Sequence, residues 1–278
     1  MTDHEFDTRF PHSVRTQTLA RHRIAVERVI TAMQRDIGSS MPLDRMAQLA
    51  AMSPFHFHRS FTRITGVSPC RFLSGLRIAE AKKLLLTTDI SVTDLCFQVG
   101  YNSLGTFTSL FTEQVGLSPG YLRRAMRTTT TLDFSLPAAM CGDTEPGERP
   151  YARITGSVRA PEDFMGFIFI GLFTSFIPKG CPAACAVLTQ SGEYLIDLTD
   201  VPAGRYYLNA AAFPLLRAPD GRQLADSPSH VERNKEALSI SPTAVHRRVD
   251  IALRPIYLTD PPILVSPPML LLKQMRKL

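Results

Sequence analysis

The feature that most constrains this 278-residue chain is an internal repeat. One copy reads SFTRITGVSPCRFL from Ser60 to Leu73, the other LFTEQVGLSPGYLR from Leu110 to Arg123. Phe61 and Phe111, Gly66 and Gly116, and Pro69 and Pro119 all keep an offset of 50 residues. In each copy a Phe-Thr pair leads to Gly-x-Ser-Pro, with an aromatic residue close behind. A glycine ending an apolar-periodic run supplies a left-handed helix cap, and Ser-Pro opens the next helix. Two copies of helix, tight turn, helix and stop predict two similar units joined by the helix between them.

Apolar periodicity fills in the rest of the first half. It predicts helices from about Thr16 to Ile37, Leu43 to Ala50, Pro54 to Thr65, Phe72 to Thr87, Val92 to Val99 and Leu104 to Val115. On the fourth, Phe72, Leu76, Ala79, Lys83 and Leu86 fall roughly on one side. Past Arg127 the pattern changes. Thr128–Thr131 and the Gly/Pro-rich, acidic Gly142–Pro150 read as a linker. Alternating or uniformly apolar stretches then predict strands at Tyr151–Arg159, Phe167–Phe173, Val187–Thr189, Tyr194–Leu198, Arg205–Ala211 and Arg247–Leu253. Gly192, Pro202-Ala203-Gly204 and Pro219-Asp220-Gly221 supply turns at spacings suited to an antiparallel sandwich. The expected fold class is two-domain α + β. Residues 1–127 form an all-helical domain of two helix-turn-helix units, 128–150 a linker, and 151–278 an antiparallel β-sandwich with a partner, ligand or oligomerisation role. Each half is expected to fold alone.

Charge separates the halves further. Residues 1–127 hold 16 Arg/Lys against 10 Asp/Glu, whereas 128–278 hold 15 of each, so the whole formal charge of +6 lies in the first half. A basic excess confined to one segment suits a polyanionic partner there. The cysteines are odd in number (Cys70, Cys96, Cys141, Cys181, Cys185), and the acidic start MTDHEFDTRF is no signal peptide. A reducing cytoplasm is the expected compartment, with no membrane association, since the apolar stretches Phe164–Phe173 and Ile263–Leu272 are too short to span a bilayer. No cofactor is expected. The histidines make no HExxH spacing, Cys181-x3-Cys185 lacks a second ligand pair for zinc, and no GxSxG, Walker or dinucleotide motif occurs. An enzymatic role therefore finds no support.

Reading a major groove requires a helix held by a packed scaffold, with a few side chains free to meet base edges. In the first unit Leu43, Met46, Leu49 and Ala50 pack the supporting helix, and Phe57 and Phe61 turn the second helix inward. Phe55, His56, His58, Arg59 and Thr62 remain on or beside the outer face. Arg59 is the strongest base reader, because a guanidinium pairs with guanine through two hydrogen bonds. In the second unit Leu95, Val99, Phe107 and Phe111 pack, leaving Ser103, Leu104, Gly105, Thr108 and Ser109 outside. His56 and His58 are two apart, which on a helix puts them on different faces and argues against a shared metal.

From about Leu43 to Arg124 the chain resembles the paired helix-turn-helix domain of AraC/XylS-type activators. The residues that carry the likeness are Leu49-Ala50 followed by SPFHFHRSF, the connecting RIAEAKKLLL, VTDLCFQVGYNSLGTFTSLF and GLSPGYLR. The resemblance implies that a rigid linking helix presents two units to successive major grooves of double-stranded DNA. It assigns contact to Phe55, His58, Arg59 and Thr62 in unit one and to Ser103, Leu104, Gly105, Thr108 and Ser109 in unit two. Arg77, near the start of the linking helix, is the expected phosphate contact. RNA polymerase is a further partner that the resemblance allows, and a small-molecule effector is unassigned. Three departures stand out. Cys96 occupies a position where alanine is common. Ser109 stands where a long polar side chain is frequent, and Glu113 replaces a common basic residue. Sequence discrimination is therefore expected to rest mainly on unit one. The domain also leads the chain, whereas better-known members carry it at the C-terminus. The segment Gly192–Leu208 resembles the strand–turn–strand unit of transthyretin-like or carboxypeptidase regulatory-like sandwiches, with Val201-Pro202-Ala203-Gly204 as the reversal between two paired strands. The competing reading is a protein-interaction or nucleoid-associated module with little preference for DNA sequence.

Overall fold

The structure, a computed structural model, describes residues 12–128, 152–214, 216–217, 223–224, 227–234, 236–241 and 246–265. The expected linker, bar its first residue, lies outside them, as does the Pro-rich C-terminal stretch. Seven helices come first: α1 (His12–Arg35), α2 (Leu43–Leu49), α3 (Pro54–Thr65), α4 (Pro69–Thr87), α5 (Val92–Gln98), α6 (Leu104–Val115) and α7 (Pro119–Thr128). Twelve strands follow among the described residues: β1 (Arg153–Arg159), β2 (Gly166–Phe173), β3 (Ala184–Leu188), β4 (Gly192–Asp197), β5 (Gly204–Pro214), β6 (Leu216–Arg217), β7 (Gln223–Leu224), β8 (His230–Arg233), β9 (Leu238–Ile240), β10 (His246–Arg248), β11 (Ile251–Ala252) and β12 (Arg254–Pro255).

The helix ends follow from single residues. Ser53 and Ser103 cap α3 and α6 by accepting from the backbone N–H of His56 and Thr106. Gly66 and Gly116 close the same helices at φ of 81° and 87°, a region that glycine enters without a steric cost. Ser91 and Asp94 hold the start of α5, the serine accepting from the Asp94 N–H and donating to its carboxylate. The two units are not in perfect register. α3 and α6 start 50 residues apart, but α2 and α5 start 49 apart, so the second turn is one residue longer. The left-handed residue after the supporting helix is Gly100 in the second turn and Ala51, at φ of 53°, in the first.

Contacts divide the chain inside α4, after Arg77, rather than between 128 and 150. The first unit comprises the chain up to Arg77 together with Leu258–Pro261. Its core is Val26, Val29, Ile30 and Met33 of α1, Met46 and Ala47 of α2, Phe57 and Phe61 of α3 and Phe72 of α4, all buried. Phe61 meets Phe57 and Phe72 edge-on, at 5.5 and 5.4 Å between ring centres. Arg77 donates from Nε to the Ile37 carbonyl (3.0 Å) and from Nη2 to that of Ser39 (2.8 Å). Its guanidinium thus binds the carbonyls just beyond α1, where cationic donors are favourable.

The second unit runs from Ile78 to Tyr257 and from Pro262 onward. Its helices pack Leu95, Val99, Phe107, Phe111, Val115 and Leu122 into one apolar cluster with Phe167, Phe169, Phe213, Val187, Val231 and Leu264 of the β region. Across the sheet a second cluster joins Ile154, Val158, Tyr194 and Ile196 to Ile168, Ile170, Leu208 and Ala210. One sheet runs β12-β8-β5-β2-β3, with β9 also on β5, and every pairing in it is antiparallel. A second sheet is mixed, which departs from the antiparallel expectation: β1 pairs antiparallel with β4 but parallel with β10 and β11, while β6 and β7 form a separate antiparallel pair.

Two further expectations are overturned by the strand pairing. Val201–Gly204 is not a hairpin reversal, because β4 pairs with β1 and β5 with β2, β8 and β9; the turn carries the chain from one sheet to the other. The strand expected over Arg247–Leu253 is split, since the Asp250 carboxylate takes the Ser157 N–H (2.8 Å) in place of a ladder carbonyl. Val249 also lies so close over Gly156 that a Cβ there would overlap its carbonyl. On α4 the buried residues are Pro69, Phe72, Leu73, Gly75, Ile78, Ala81, Lys82 and Leu85, while Leu76, Ala79 and Leu86 are half-buried and Lys83 is exposed.

Candidate nucleic-acid interface

In the first unit α2 and α1 both pack on α3. Phe57 and Phe61 lie on its inner side and are fully buried. At 3.6 residues per turn this aims Phe55, His58, Arg59 and Thr62 away from the core. Phe55 is 78% exposed, so its ring stands clear of the core. His58 and Arg59 are exposed as well. Thr62 is half-buried, and its hydroxyl is shut away from solvent without a hydrogen bond. Three of the four expected residues therefore share one open face, and Thr62 borders it with its methyl-bearing side chain.

The second unit repeats the design. Phe107 and Phe111 are buried, with Tyr101 5.5 Å from Phe107 between ring centres. Leu104 is 40% exposed, Gly105 and Ser109 are exposed, and Thr108 is half-buried. Ser103 is exposed, but its hydroxyl is the α6 cap and also meets Thr106 Oγ1 at 3.2 Å. Glu113, the counterpart of Arg63, is paired with Lys179 of the β2–β3 connection (3.0 Å). The next residue of that connection, Gly180, donates its N–H to the Gln114 carbonyl (3.2 Å). Glu113 is thus a docking point for the β region, a role with no signal in the helical sequence alone.

Cys96 is fully buried at the place that Ala47 takes in the first unit, and burial raises its thiol pKa. Burial also pushes the Cys185 thiol up to about 11, with the Cys181 charge adding to the effect. Among the described residues no group of three His, Cys, Asp or Glu side chains is arranged to hold a metal. No helix among them is long and apolar enough to cross a membrane.

The site also contains residues that the motif did not reveal. His22 of α1 lies edge-on to His56, 4.9 Å between ring centres, and its Nδ1 faces Arg63 Nη2 at 3.4 Å. Burial, then the charges of His56 and Arg63, hold its pKa below the ordinary imidazole value. This contact joins residues 34 and 41 positions apart in sequence, so no local pattern foretells it.

Two capped helix pairs, each offering the outer face of its second helix, define a helix-turn-helix segment of the kind that meets nucleic acid. Residues 46–125 match the family described as a helix-turn-helix domain, and the segment is of the AraC/XylS type. The HTH-type transcriptional activator RhaS of Enterobacter sp. (strain 638) is 33% identical over 81 residues, 29% of either chain. The MmsAB operon regulatory protein of Pseudomonas aeruginosa is 34% identical over 95 residues, 34% of this chain and 31% of that one. The bifunctional transcriptional activator/DNA repair enzyme AdaA of Bacillus subtilis is 26% identical over 106 residues, 38% and 50% of the two chains. This chain spans no more than half the length of these relatives, and the family match, residues 46–125, lies within the helices.

Proposed function

We propose that this protein is a sequence-specific DNA-binding transcription regulator that reads successive major grooves with α3 and α6. The carrying observation is the outer face of α3, where Phe55, His58 and Arg59 stand free on a helix fixed from behind by Phe57 and Phe61. Arg59 reads guanine, Phe55 and Thr62 meet thymine methyls, and His58 donates to a base or a phosphate. Leu104, Gly105, Thr108 and Ser109 form a shorter-reaching surface in unit two, suited mainly to positioning on the backbone, while Ser103 acts through its cap. Arg77 works in this reading as a strut across the end of α1 rather than as the expected phosphate contact. The β region, read as a sandwich for its two facing sheets, acts as the companion that braces unit two.

The test is selection of bound duplexes from a random pool by the full chain, followed by footprinting. Enrichment of one defined box with a weaker one about 10 base pairs away is expected. Binding without enrichment would instead favour the protein-interaction or nucleoid-associated reading.

A further inference from the structure

On the flank of α3, three basic side chains from two helices meet with no acid among them. His22 comes from α1; His56 and Arg63 come from the first and last turns of α3. The His22 ring stands edge-on to His56, and Arg63 Nη2 points at His22 Nδ1. Among the described residues the charges that bear on His22 are those of His56 and Arg63; Asp44 and Arg45 of α2 and Asp260 of the 258–261 segment are not among them. Along α1 the nearest acid, Glu27, is engaged one turn further on by Arg23 at 3.0 Å. Gathering like charges without a counter-ion is unfavourable, and such a concentration suits an anion.

Its position says which anion. With about 100° between successive residues, His56 and Arg63 lie nearly in line along α3, and Arg59 is within about 60° of both. The cluster therefore borders the reading face on the side where α1 packs, where a duplex laid against Arg59 carries its sugar-phosphate backbone. We propose that His22, His56 and Arg63 form a clamp for one backbone phosphate of duplex DNA, which makes α1 part of the DNA-binding surface although it lies outside the matched 46–125 segment. The proposal rests on the DNA reading above. Arg63 keeps further N–H donors besides the one on His22, so it can hold phosphate oxygens. Neutral His22 accepts from Arg63; with a phosphate in place it takes a proton from solvent, and both groups then donate to the anion. Unit two has no such clamp, because Thr106 and Glu113 stand at the positions of His56 and Arg63, and Glu113 is paired with Lys179.

The clamp makes binding proton-linked. His22 titrates below its ordinary value in the free protein, and an adjacent phosphate raises it, so duplex binding in the imidazole range takes up protons and tightens as pH falls. Calorimetry of the full chain with its selected duplex, in buffers of different ionisation enthalpy, counts those protons. His22→Gln should lower the uptake, leaving what His56 contributes. Arg63→Gln should lower the slope of log affinity against log salt by about 1, and Arg63→Lys should restore it. A bound duplex with uptake and salt slope unaltered in these variants overturns the clamp and leaves the DNA reading standing. If no duplex binds, the DNA reading itself falls, and the clamp with it. Should His22→Gln unfold α1, the unaltered chain decides: no proton uptake in the imidazole range overturns the proposal. Inorganic phosphate titrated alone separates the sources, since uptake with phosphate but none with duplex marks a free-anion site and also overturns it.

Discussion

Arg59 is exposed on a helix whose opposite side is locked by Phe57 and Phe61, so its guanidinium can be removed without disturbing the core. Arg59→Ala should cost about 1–3 kcal/mol on the selected duplex and broaden the preference at one base pair, with little loss on random DNA. Competition binding against both DNAs measures it; equal losses on both would assign Arg59 to the backbone instead. A second residue carries a backbone cost. Ala51 sits at φ of 53° where the matching turn has Gly100, and an L-residue there loses roughly 1–2 kcal/mol. Glycine removes that penalty but loses about 0.5–1 kcal/mol to chain entropy. Ala51→Gly should therefore stabilise the first unit by roughly 0.5–1 kcal/mol, read as a rise in the denaturant midpoint with unchanged slope.

At the scale of elements, the two reading helices share a scaffold and differ in reach. α3 carries Arg59 and α6 carries Ser109 at the equivalent place; α3 ends with Arg63 and α6 with Glu113, which is held by Lys179. Single base-pair changes across the two boxes should cost more in the first, and Ser109→Arg should sharpen the second by adding a guanine preference. Equal penalties in both boxes for the unaltered protein would defeat the asymmetry. Both reading helices were legible to the residue, because a serine cap and a terminal glycine act locally, with Pro54 as a further start signal in α3. The buried face of α4 was not, since what covers each turn of that helix is set by packing that its own sequence does not encode. The strands were found more readily than their partners. β1 takes β10 and β11 from about 90 residues away in parallel, and the Asp250–Ser157 bond that splits the last strand comes from the same distance.

At the scale of the whole molecule, one of the apolar clusters disregards the composition boundary. Periodicity, charge and turn content all change near residue 128, which argues for two halves that fold separately. Yet Leu95, Phe107, Phe111, Val115 and Leu122 share a single apolar cluster with Phe167, Phe169, Phe213, Val187 and Val231. The Lys179–Glu113 pair adds little by itself, both side chains being about half exposed, but it fixes where the β2–β3 connection meets α6. By contrast, the core of the first unit is complete within α1–α4, apart from Leu258–Pro261. A fragment ending at residue 127 should therefore split in behaviour. Amides of α1–α3 should keep most of their protection from hydrogen exchange, whereas those of α5–α7 should lose much of theirs, because the apolar surface opposite the sheet is returned to water. On DNA the same fragment should retain the footprint of the first box and lose the second. Uniform protection across 12–125, with both footprints intact, would show that the helical half is self-sufficient and that the shared cluster contributes nothing to unit two.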